Sequence, residues 1–347
     1  MEQTERRWDS IAKPLKSLGL LEQNLTKITG IVGSEKPQIG KRALIAMCAD
    51  NGVVAEGVTQ TGMEVTAIVA RNMAEGATTV TVMAEAAGVD VFPVDIGMVT
   101  EGSCILGIPE EKEDLVPRTL LGRKVAHGTR NFAEGPAMSR EEALRAILTG
   151  LEIAGRLKAQ GYDILATGEM GIGNTTTSSA VAAALLSEPV EKMTGKGAGL
   201  SHEGLLKKIA VIRQSLQDLK PDKEDPLDVL CKVGGFDIAG LAGVFLGGAV
   251  YRIPVLLDGF ISSVAALLAV RILPGAKDFM LATHVSKEPA GGLVLDTLGL
   301  KPMLCCEMCL GEGTGAMAGL SVLDMGFAVY HSMATFDEIQ VEQYQPL

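Results

Sequence analysis

Short runs of apolar residues alternate with longer stretches of helical spacing along most of this chain. Residues 42–49 form a continuous apolar run, which is typical of a parallel strand covered on both faces. Similar runs at residues 89–95, 162–166, 253–257 and 279–286 predict further buried strands. Because helical patterns separate these runs, the sequence predicts an α/β fold with a doubly wound, mostly parallel sheet.

Two helices have recognisable beginnings in the sequence. Leucines at positions 15, 18, 20 and 21 lie among polar neighbours and predict an amphipathic helix that begins at Pro14. Ser139 and Glu142 have the spacing of a capping box, which predicts a helix that runs to about residue 160. The region between residues 98 and 136 is expected to be rich in loops.

The clearest candidate for a functional site is the glycine-rich stretch at residues 168–177, Gly-Glu-Met-Gly-Ile-Gly-Asn-Thr-Thr-Thr. It lies between a predicted strand and a run of small, helix-forming residues. Such a turn offers free backbone N–H groups and the positive end of a helix dipole, which suit a phosphate group. Asn174 and the threonines after it are expected to cap the helix. The stretch matches neither the dinucleotide fingerprint nor a P-loop, and a plain capped turn explains it almost equally well.

Carboxylates are the residues best suited to carry chemistry here. Glu169 lies in the glycine-rich stretch, and Glu312 has a similar frame of glycines before a second predicted helix. Asp50 and Asp258 each follow a predicted strand, where ligands of open α/β sheets bind, although a plain polar turn is the simpler interpretation of Asp50. A carboxylate in an apolar wall or near another acid can act as a general base close to neutral pH. The residues therefore indicate an enzyme that holds a phosphate and removes a proton from an apolar substrate.

Composition excludes several other classes of protein. The chain has 347 residues, of which 47% are hydrophobic, and a net charge of −11, which disfavours nucleic acid as a partner. Its first residues lack a signal-peptide core, and its most apolar region is interrupted by Asp258 and Arg271, so no membrane span is expected. The clustered cysteines 305, 306 and 309 lack a second pair of metal ligands. We therefore expect a cytoplasmic protein with reduced thiols, no metal and no cofactor.

Seven short segments, spread over nearly the whole chain, together resemble one known family. This is the family of nicotinate-nucleotide–dimethylbenzimidazole phosphoribosyltransferases, which activate the lower base of cobamides. The matching segments are residues 13–19 (KPLKSLG), 49–53 (ADNGV), 168–171 (GEMG), 174–176 (NTT), 232–237 (KVGGFD), 256–260 (LLDGF) and 310–316 (LGEGTGA).

The resemblance implies a reaction and a set of site residues. The phosphoribosyl group of nicotinate mononucleotide would pass to 5,6-dimethylbenzimidazole, which gives α-ribazole 5′-phosphate and nicotinate. Glu312 would be the general base, and Glu169 would stabilise charge on the ribose or position a water molecule. The nucleotide phosphate and ribose would be bound by Gly171, Gly173, Asn174, Thr175, Thr176, Gly197, Gly199, Lys208, Asp258 and Ser286. The aromatic base would be bound by Asp50, Thr61, Val69, Met170 and Leu310.

The resemblance also implies an organisation. Residues 1–40 and 326–347 would form a small helical domain around a large Rossmann-like domain at residues 41–325, and the enzyme would be a homodimer. Asn51 and Cys309 replace a histidine and an arginine that many members have, so the preferred base is open. The alternatives are a relative that activates phenol or p-cresol, a non-catalytic paralogue that supports a partner subunit in a hetero-pair, and another phosphate-handling glycosyltransferase.

Overall fold

A six-stranded sheet forms the centre of the computed structural model, which describes residues 1–100 and 114–344. Its strands occur in the order β3-β2-β1-β4-β5-β6, and every paired neighbour is parallel. The strands are β1 (Arg42–Ala49), β2 (Val89–Gly97), β3 (Leu121–Gly122), β4 (Ile164–Met170), β5 (Val255–Leu257) and β6 (Met280–Ala282). The predicted α/β fold with a doubly wound sheet is confirmed.

Helices cover both faces of this sheet because the central strands are apolar on both sides. Along β1, Ile45 and Met47 belong to one core cluster, and Leu44 and Ala46 belong to the other. The helices are α1 (Glu2–Ser10), α2 (Leu20–Val32), α3 (Glu64–Glu75), α4 (Thr79–Ala86), α5 (Arg140–Ala159), α6 (Asn174–Leu186), α7 (Val190–Met193), α8 (His202–Leu219), α9 (Pro226–Val233), α10 (Phe236–Tyr251), α11 (Phe260–Ile272), α12 (Gly291–Leu298) and α13 (Thr314–Ser332). Two 3-10 helices lie at Gly52–Glu56 and Pro274–Phe279. Over the described residues, no helix is long and apolar enough to cross a membrane.

Local sequence signals located some element boundaries correctly and missed others. The capping box is confirmed, since the Ser139 hydroxyl accepts from the Glu142 amide and the Glu142 carboxylate accepts from the Ser139 amide. The prediction that a helix begins at Pro14 is wrong, because turns follow Pro14 and α2 begins only at Leu20. The expected loop region contains the two-residue strand β3, and part of it, residues 101–113, lies outside the described residues.

The two ends of the chain pack against each other. Ile11 and Thr335 form an antiparallel bridge, and the rings of Trp8 and Tyr330 lie 5.0 Å apart. The helix α13 extends across residue 325, the expected boundary between the large and the small domain. The division into domains at residues 40 and 325 stays a prediction.

Candidate functional site

A cavity of about 290 Å³ opens at the carboxyl edge of the sheet, where β4, β5 and β6 end. Both candidate carboxylates, Glu169 and Glu312, line it. Glu169 lies within β4, whereas the sequence pattern placed it in the following turn. Parallel pairing with β1 extends as far as Met170, so the strand carries the carboxylate directly to the sheet edge. The topology therefore brings together two acids that are far apart in the sequence.

Two glycines allow the segments that carry these acids to touch. A Cβ atom on Gly168 would collide with the main-chain carbonyl of Glu312, and a Cβ atom on Gly311 would collide with Oε1 of Glu169. Each glycine therefore lies beside the glutamate of the opposite segment. Any larger residue at either position would push the two carboxylates apart.

Glu312 has an unusual backbone and an incompletely bonded side chain. Its φ is +62°, between Gly311 at +85° and Gly313 at +104°, so three successive residues are left-handed. For a glutamate this conformation costs about 1–2 kcal/mol. Its buried Oε2 has no hydrogen-bond partner among the described residues. Burial raises the pKa of Glu312, the Val80 amide in the first turn of α4 lowers it, and the charge of Asp258 raises it. The site thus holds a carboxylate with a free oxygen and increased basicity.

Asp258 bonds to the backbone beside Glu312. It follows β5, is only 2% exposed, and accepts hydrogen bonds from the amides of Gly313 (3.1 Å), Gly315 (2.7 Å) and Ala316 (3.2 Å). Burial raises the pKa of Asp258, while His284 and these three amides act in the opposite direction. Both carboxylate oxygens of Asp258 are therefore used within the protein.

Glu169 belongs to a second buried group of polar side chains. The Asn174 amide donates to Oε2 of Glu169. Burial and then the charges of Asp237 and Asp258 raise the pKa of Glu169 well above its ordinary value, and Asn174 opposes them. The pKa of Asp237, at the start of α10, is raised to about 6, chiefly by burial, and Asn174 opposes this shift as well. Asn174 was expected to cap α6, but it bonds Glu169 instead, and the α6 N-cap, Gly173, has no side-chain bond.

The turn between β4 and α6 lies beside a buried lysine. Lys208 on α8 is 1% exposed, and its Nζ donates to Oγ1 of Thr175 (2.8 Å) and to the Gly195 carbonyl (3.2 Å). Burial lowers the pKa of Lys208 to about 8, and the charge of Glu288 partly offsets this. Gly197, with φ of +54°, approaches Thr175 so closely that a Cβ would lie 2.8 Å from its hydroxyl. Together these groups place N–H donors and one cation at a helix N-terminus, an arrangement suited to a phosphate.

Most of the residues predicted from the sequence meet at these cavities. A neighbouring cavity of about 120 Å³ shares the β4–α6 turn with the larger one and is also lined by Thr61 and Gly173. The predicted residues that line the larger cavity are Glu169, Glu312, Gly171, Asn174, Thr175, Gly197, Asp258, Ser286, Val69, Met170 and Leu310. Asp50, Thr176, Gly199 and Lys208 line neither cavity. Asp50 is fully buried and accepts from the Val99 amide at 2.7 Å, and the Thr176 side chain is also fully buried.

The structure adds residues that sequence reasoning did not select. His284 follows β6, and Glu288 lies against Gly195; both line the larger cavity. A polar residue at a strand end was the available signal for His284. Glu288 and Asp237 gave no local signal, because their positions depend on packing between distant segments. Within residues 1–100 and 114–344, no three His, Cys, Asp or Glu side chains are grouped in a way that could hold a metal ion.

A parallel sheet with a phosphate-suited helix N-terminus and two carboxylates at its edge is consistent with a transferase that acts on a phosphorylated sugar. A family model described as phosphoribosyltransferase matches residues 1–341, and this chain belongs to that family.

Named relatives narrow the class further. The chain is 47% identical over 346 residues to the nicotinate-nucleotide–dimethylbenzimidazole phosphoribosyltransferase of Acetivibrio thermocellus, a match that covers 100% of this chain and 95% of that protein. The enzyme of the same name from Clostridium acetobutylicum is 44% identical, with the same coverage. The crystal structure of CobT from Thermus thermophilus matches with a TM-score of 0.89 and 40% identity over 99% of both chains. The resemblance seen in the sequence is thus confirmed.

Proposed function

We propose that this chain transfers the phosphoribosyl group of nicotinate mononucleotide to 5,6-dimethylbenzimidazole or a related aromatic base. The products are α-ribazole 5′-phosphate and nicotinate, and the step belongs to assembly of the cobamide lower loop. The observation that carries the proposal is the meeting of Glu169 and Glu312 in one cavity. The relatives named above, which match along nearly their whole length, support the choice of substrates.

In the proposed mechanism, Glu312 removes the proton from a benzimidazole nitrogen. The freed nitrogen lone pair forms a bond to C1′ of the ribose as the bond from C1′ to the nicotinate nitrogen breaks. The electron pair of that bond returns to the pyridine ring and neutralises it, so departure needs no added proton. A base with a raised pKa suits this task because it still takes up a proton near neutral pH. Its unpartnered Oε2 leaves an acceptor free for the substrate N–H.

Glu169 is proposed to act on the ribose side of the same cavity. There it stabilises charge that develops on the sugar or positions a water molecule. Its carboxylate is held from one side by Asn174 and is packed against Gly311 on the other, so its position is fixed before substrate arrives. Such preorganisation avoids a cost of reorientation during the reaction.

The 5′-phosphate is proposed to bind at the start of α6. The turn of Gly171 to Thr175 and the Gly197 backbone supply N–H and hydroxyl donors, and Lys208 supplies charge through its contact with Thr175. Ser286 lines the same cavity from the segment after β6. The backbone of Thr176 and that of Gly199 also belong to the proposed phosphate-binding site.

The aromatic base is proposed to lie between Val69, Met170 and Leu310, which line the same cavity. Thr61 lines the neighbouring cavity, and Asp50 supports the region from its buried position. Cys309 lines the larger cavity. Asn51 is buried and donates to the Ile172 carbonyl at 3.3 Å. The apolar character of this wall also suits a phenol, which would still need Glu312 to become phenolate.

We further propose that the protein works as a homodimer and that both chain ends form a small helical domain. Leu310 and Ile68 are apolar residues that remain 54% and 47% exposed, and Leu310 lines the cavity. Covering them with a second subunit would shield the aromatic base from water. Light scattering measures the oligomeric state, and limited proteolysis near residues 40 and 325 tests the division into domains.

The function is tested by incubating the purified chain with nicotinate mononucleotide and one aromatic acceptor. Chromatography should show equal amounts of nicotinate and an α-ribotide phosphate with 5,6-dimethylbenzimidazole. Competition among benzimidazoles, adenine, phenol and p-cresol then identifies the preferred base. Absence of nicotinate release with every acceptor would refute catalysis. If a partner subunit then restored turnover, the supporting paralogue would replace the proposed function.

A further inference from the structure

The helix that follows Glu312 begins without a cap from its own chain segment. Gly313, the N-cap residue of α13, has no side chain and therefore cannot accept a hydrogen bond from the first amides of the helix. The first amides of a helix need other partners because no preceding turn supplies carbonyls to them. For α13, Asp258 supplies these partners from the end of β5, more than fifty residues earlier in the chain.

One of these bonds lies directly beside the proposed base. The Gly313 amide belongs to the peptide group that joins Glu312 to Gly313, and it donates to Oδ2 of Asp258 at 3.1 Å. The amides of Gly315 and Ala316 donate to the other oxygen. Because Glu312 has a φ of +62°, which costs a non-glycine residue free energy, an unsupported segment would favour other conformations. Asp258 therefore holds a strained peptide whose relaxation would move the Glu312 side chain.

We propose that Asp258 is a positioning residue for the phosphoribosyl transfer: its carboxylate holds the Glu312–Gly313 peptide and the first turn of α13, and so fixes the carboxyl group of Glu312 in the cavity. This role takes the place of the direct ribose contact that the family resemblance implies. The inference rests on the proposed function of Glu312 as the base. Its structural half, the hold on the peptide, stands on geometry alone.

Charge adds a second effect of Asp258. Asp258 interacts electrostatically with three ionisable groups, which are His284 after β6, Glu169 on β4 and Glu312. Its negative charge raises the pKa of both glutamates, whereas His284 lowers that of Asp258. Removing the charge should therefore lower the pKa of Glu312, and the acid limb of the activity profile should move to lower pH.

Asp258→Asn is the informative variant. The asparagine oxygen can still accept from Gly315 and Ala316, but its NH₂ group would face the Gly313 amide, and two donors cannot bond. Asp225→Asn is the matched control, because Asp225 caps α9 through the amides of Leu227 and Asp228, away from the cavity. In Asp225→Asn, the remaining oxygen still accepts from both amides, and only the ion pair with Arg140 (2.8 Å) is lost. Both variants remove the charge of a carboxylate at a helix start, but only Asp258→Asn alters the segment that bears Glu312.

The kinetic expectation is a selective loss of turnover. For Asp258→Asn we expect kcat to fall at least about tenfold, KM for nicotinate mononucleotide to change less than about threefold, and the acid limb of kcat to move to lower pH. Asp225→Asn should leave all three near wild type. A raised KM with unchanged kcat would instead assign Asp258 to direct ribose binding and overturn the inference. Unchanged kinetics with reduced thermal stability would overturn it as well.

Hydrogen exchange in the wild-type protein tests whether Asp258 holds the Glu312–Gly313 peptide. This measurement depends neither on activity nor on the folding of a variant. In the wild-type protein, the amides of Gly313, Gly315 and Ala316 should exchange more slowly than the first amides of α2, whose N-cap Gly19 has no side-chain bond. Equal exchange at both helix starts would overturn the inference. If the wild-type chain released no nicotinate but these amides were protected, the proposed function would fail while the hold by Asp258 stood.

Discussion

Replacing Glu312 with glutamine is the most direct test of the proposed base. The substitution keeps the size of the side chain, and the new amide oxygen could still accept from Val80. Because Oε2 of Glu312 has no partner among the described residues, the new NH₂ group breaks no existing bond. The fold should therefore survive the substitution, and a kinetic effect can be attributed to the lost base.

The expected magnitude follows from the chemistry of proton removal. A positioned general base contributes about 10²–10⁴-fold to rate, which corresponds to about 3–5 kcal/mol of activation free energy. For Glu312→Gln we expect a loss of kcat in that range and a KM for nicotinate mononucleotide near wild type. In the wild-type enzyme, kcat should fall as pH decreases through the raised pKa of Glu312, since the protonated carboxyl cannot accept a proton. The variant should lack this limb.

The assay is nicotinate release, measured by chromatography from about pH 5 to about pH 9, a range that spans the raised pKa of a buried carboxyl, with saturating 5,6-dimethylbenzimidazole. Glu307→Gln is the control, because Glu307 lies in the same loop with φ of +52°, is 77% exposed, and pairs only with Lys287 at 3.1 Å among the described residues. The control should match wild type. Turnover of Glu312→Gln within about threefold of wild type at neutral pH would refute the assignment of Glu312 as the base.

Three further substitutions test other parts of the site. Gly311→Ala should destabilise the protein by at least about 1 kcal/mol in urea unfolding and reduce turnover, because φ is +85° and the new methyl group would meet a buried carboxylate. The control is Gly275→Ala, since a Cβ at Gly275 would lie in open space. Equal stability of the two variants would contradict the packing argument. Lys208→Met should raise KM for nicotinate mononucleotide at least about tenfold, and the KM of the wild-type enzyme should rise as pH increases through about 8, where Lys208 loses its charge. Lys207→Met, at an exposed lysine, should have little effect on KM. A KM unchanged by Lys208→Met would exclude Lys208 from phosphate binding. Asp237, whose folded pKa of about 6 exceeds its ordinary value, favours the protonated folded state, so wild-type stability should fall as pH rises from about 4 to 6. Thermal unfolding should show a smaller decrease over that range for Asp237→Asn, and an identical decrease would contradict burial of a protonated carboxyl.

Elements that are specified by local pattern could be predicted from the sequence. The strand β1 was predicted with its observed bounds, since Arg42 is followed by seven consecutive apolar residues that suit a doubly covered strand. The capping box at Ser139 was equally local. By contrast, β3 pairs only two residues with β2, too few for any periodicity. The start of α2 was misplaced because Pro14 and the leucines after it suit a first helical turn. In the structure Lys16 and Gly19 both have φ of +56°, which a right-handed helix does not allow.

The candidate site likewise contains residues that local pattern predicts and residues that it does not. The glycines that flank Glu169 and Glu312, each before a predicted helix, indicated these two acids. Glu169 also follows a predicted strand, and the ends of parallel strands share one edge of a sheet. The resemblance to a family then supplied further residues such as Lys208. Bonds between distant segments could not be predicted from local pattern, for example the contact of Asp258 with Gly313 or that of Lys208 with Thr175. They depend on the assembled sheet.

The reciprocal packing of Gly168 against Glu312 and of Gly311 against Glu169 separates two tasks within one cavity. The glycine contacts set the distance between the two carboxylates, while side chains such as Val69 and Leu310 line the cavity in which we propose that the aromatic ring binds. We therefore expect substitutions of these side chains to change which ring is accepted without disturbing the acids. For protein engineering, the pocket can be redesigned for new acceptors while the glycine contacts are left untouched.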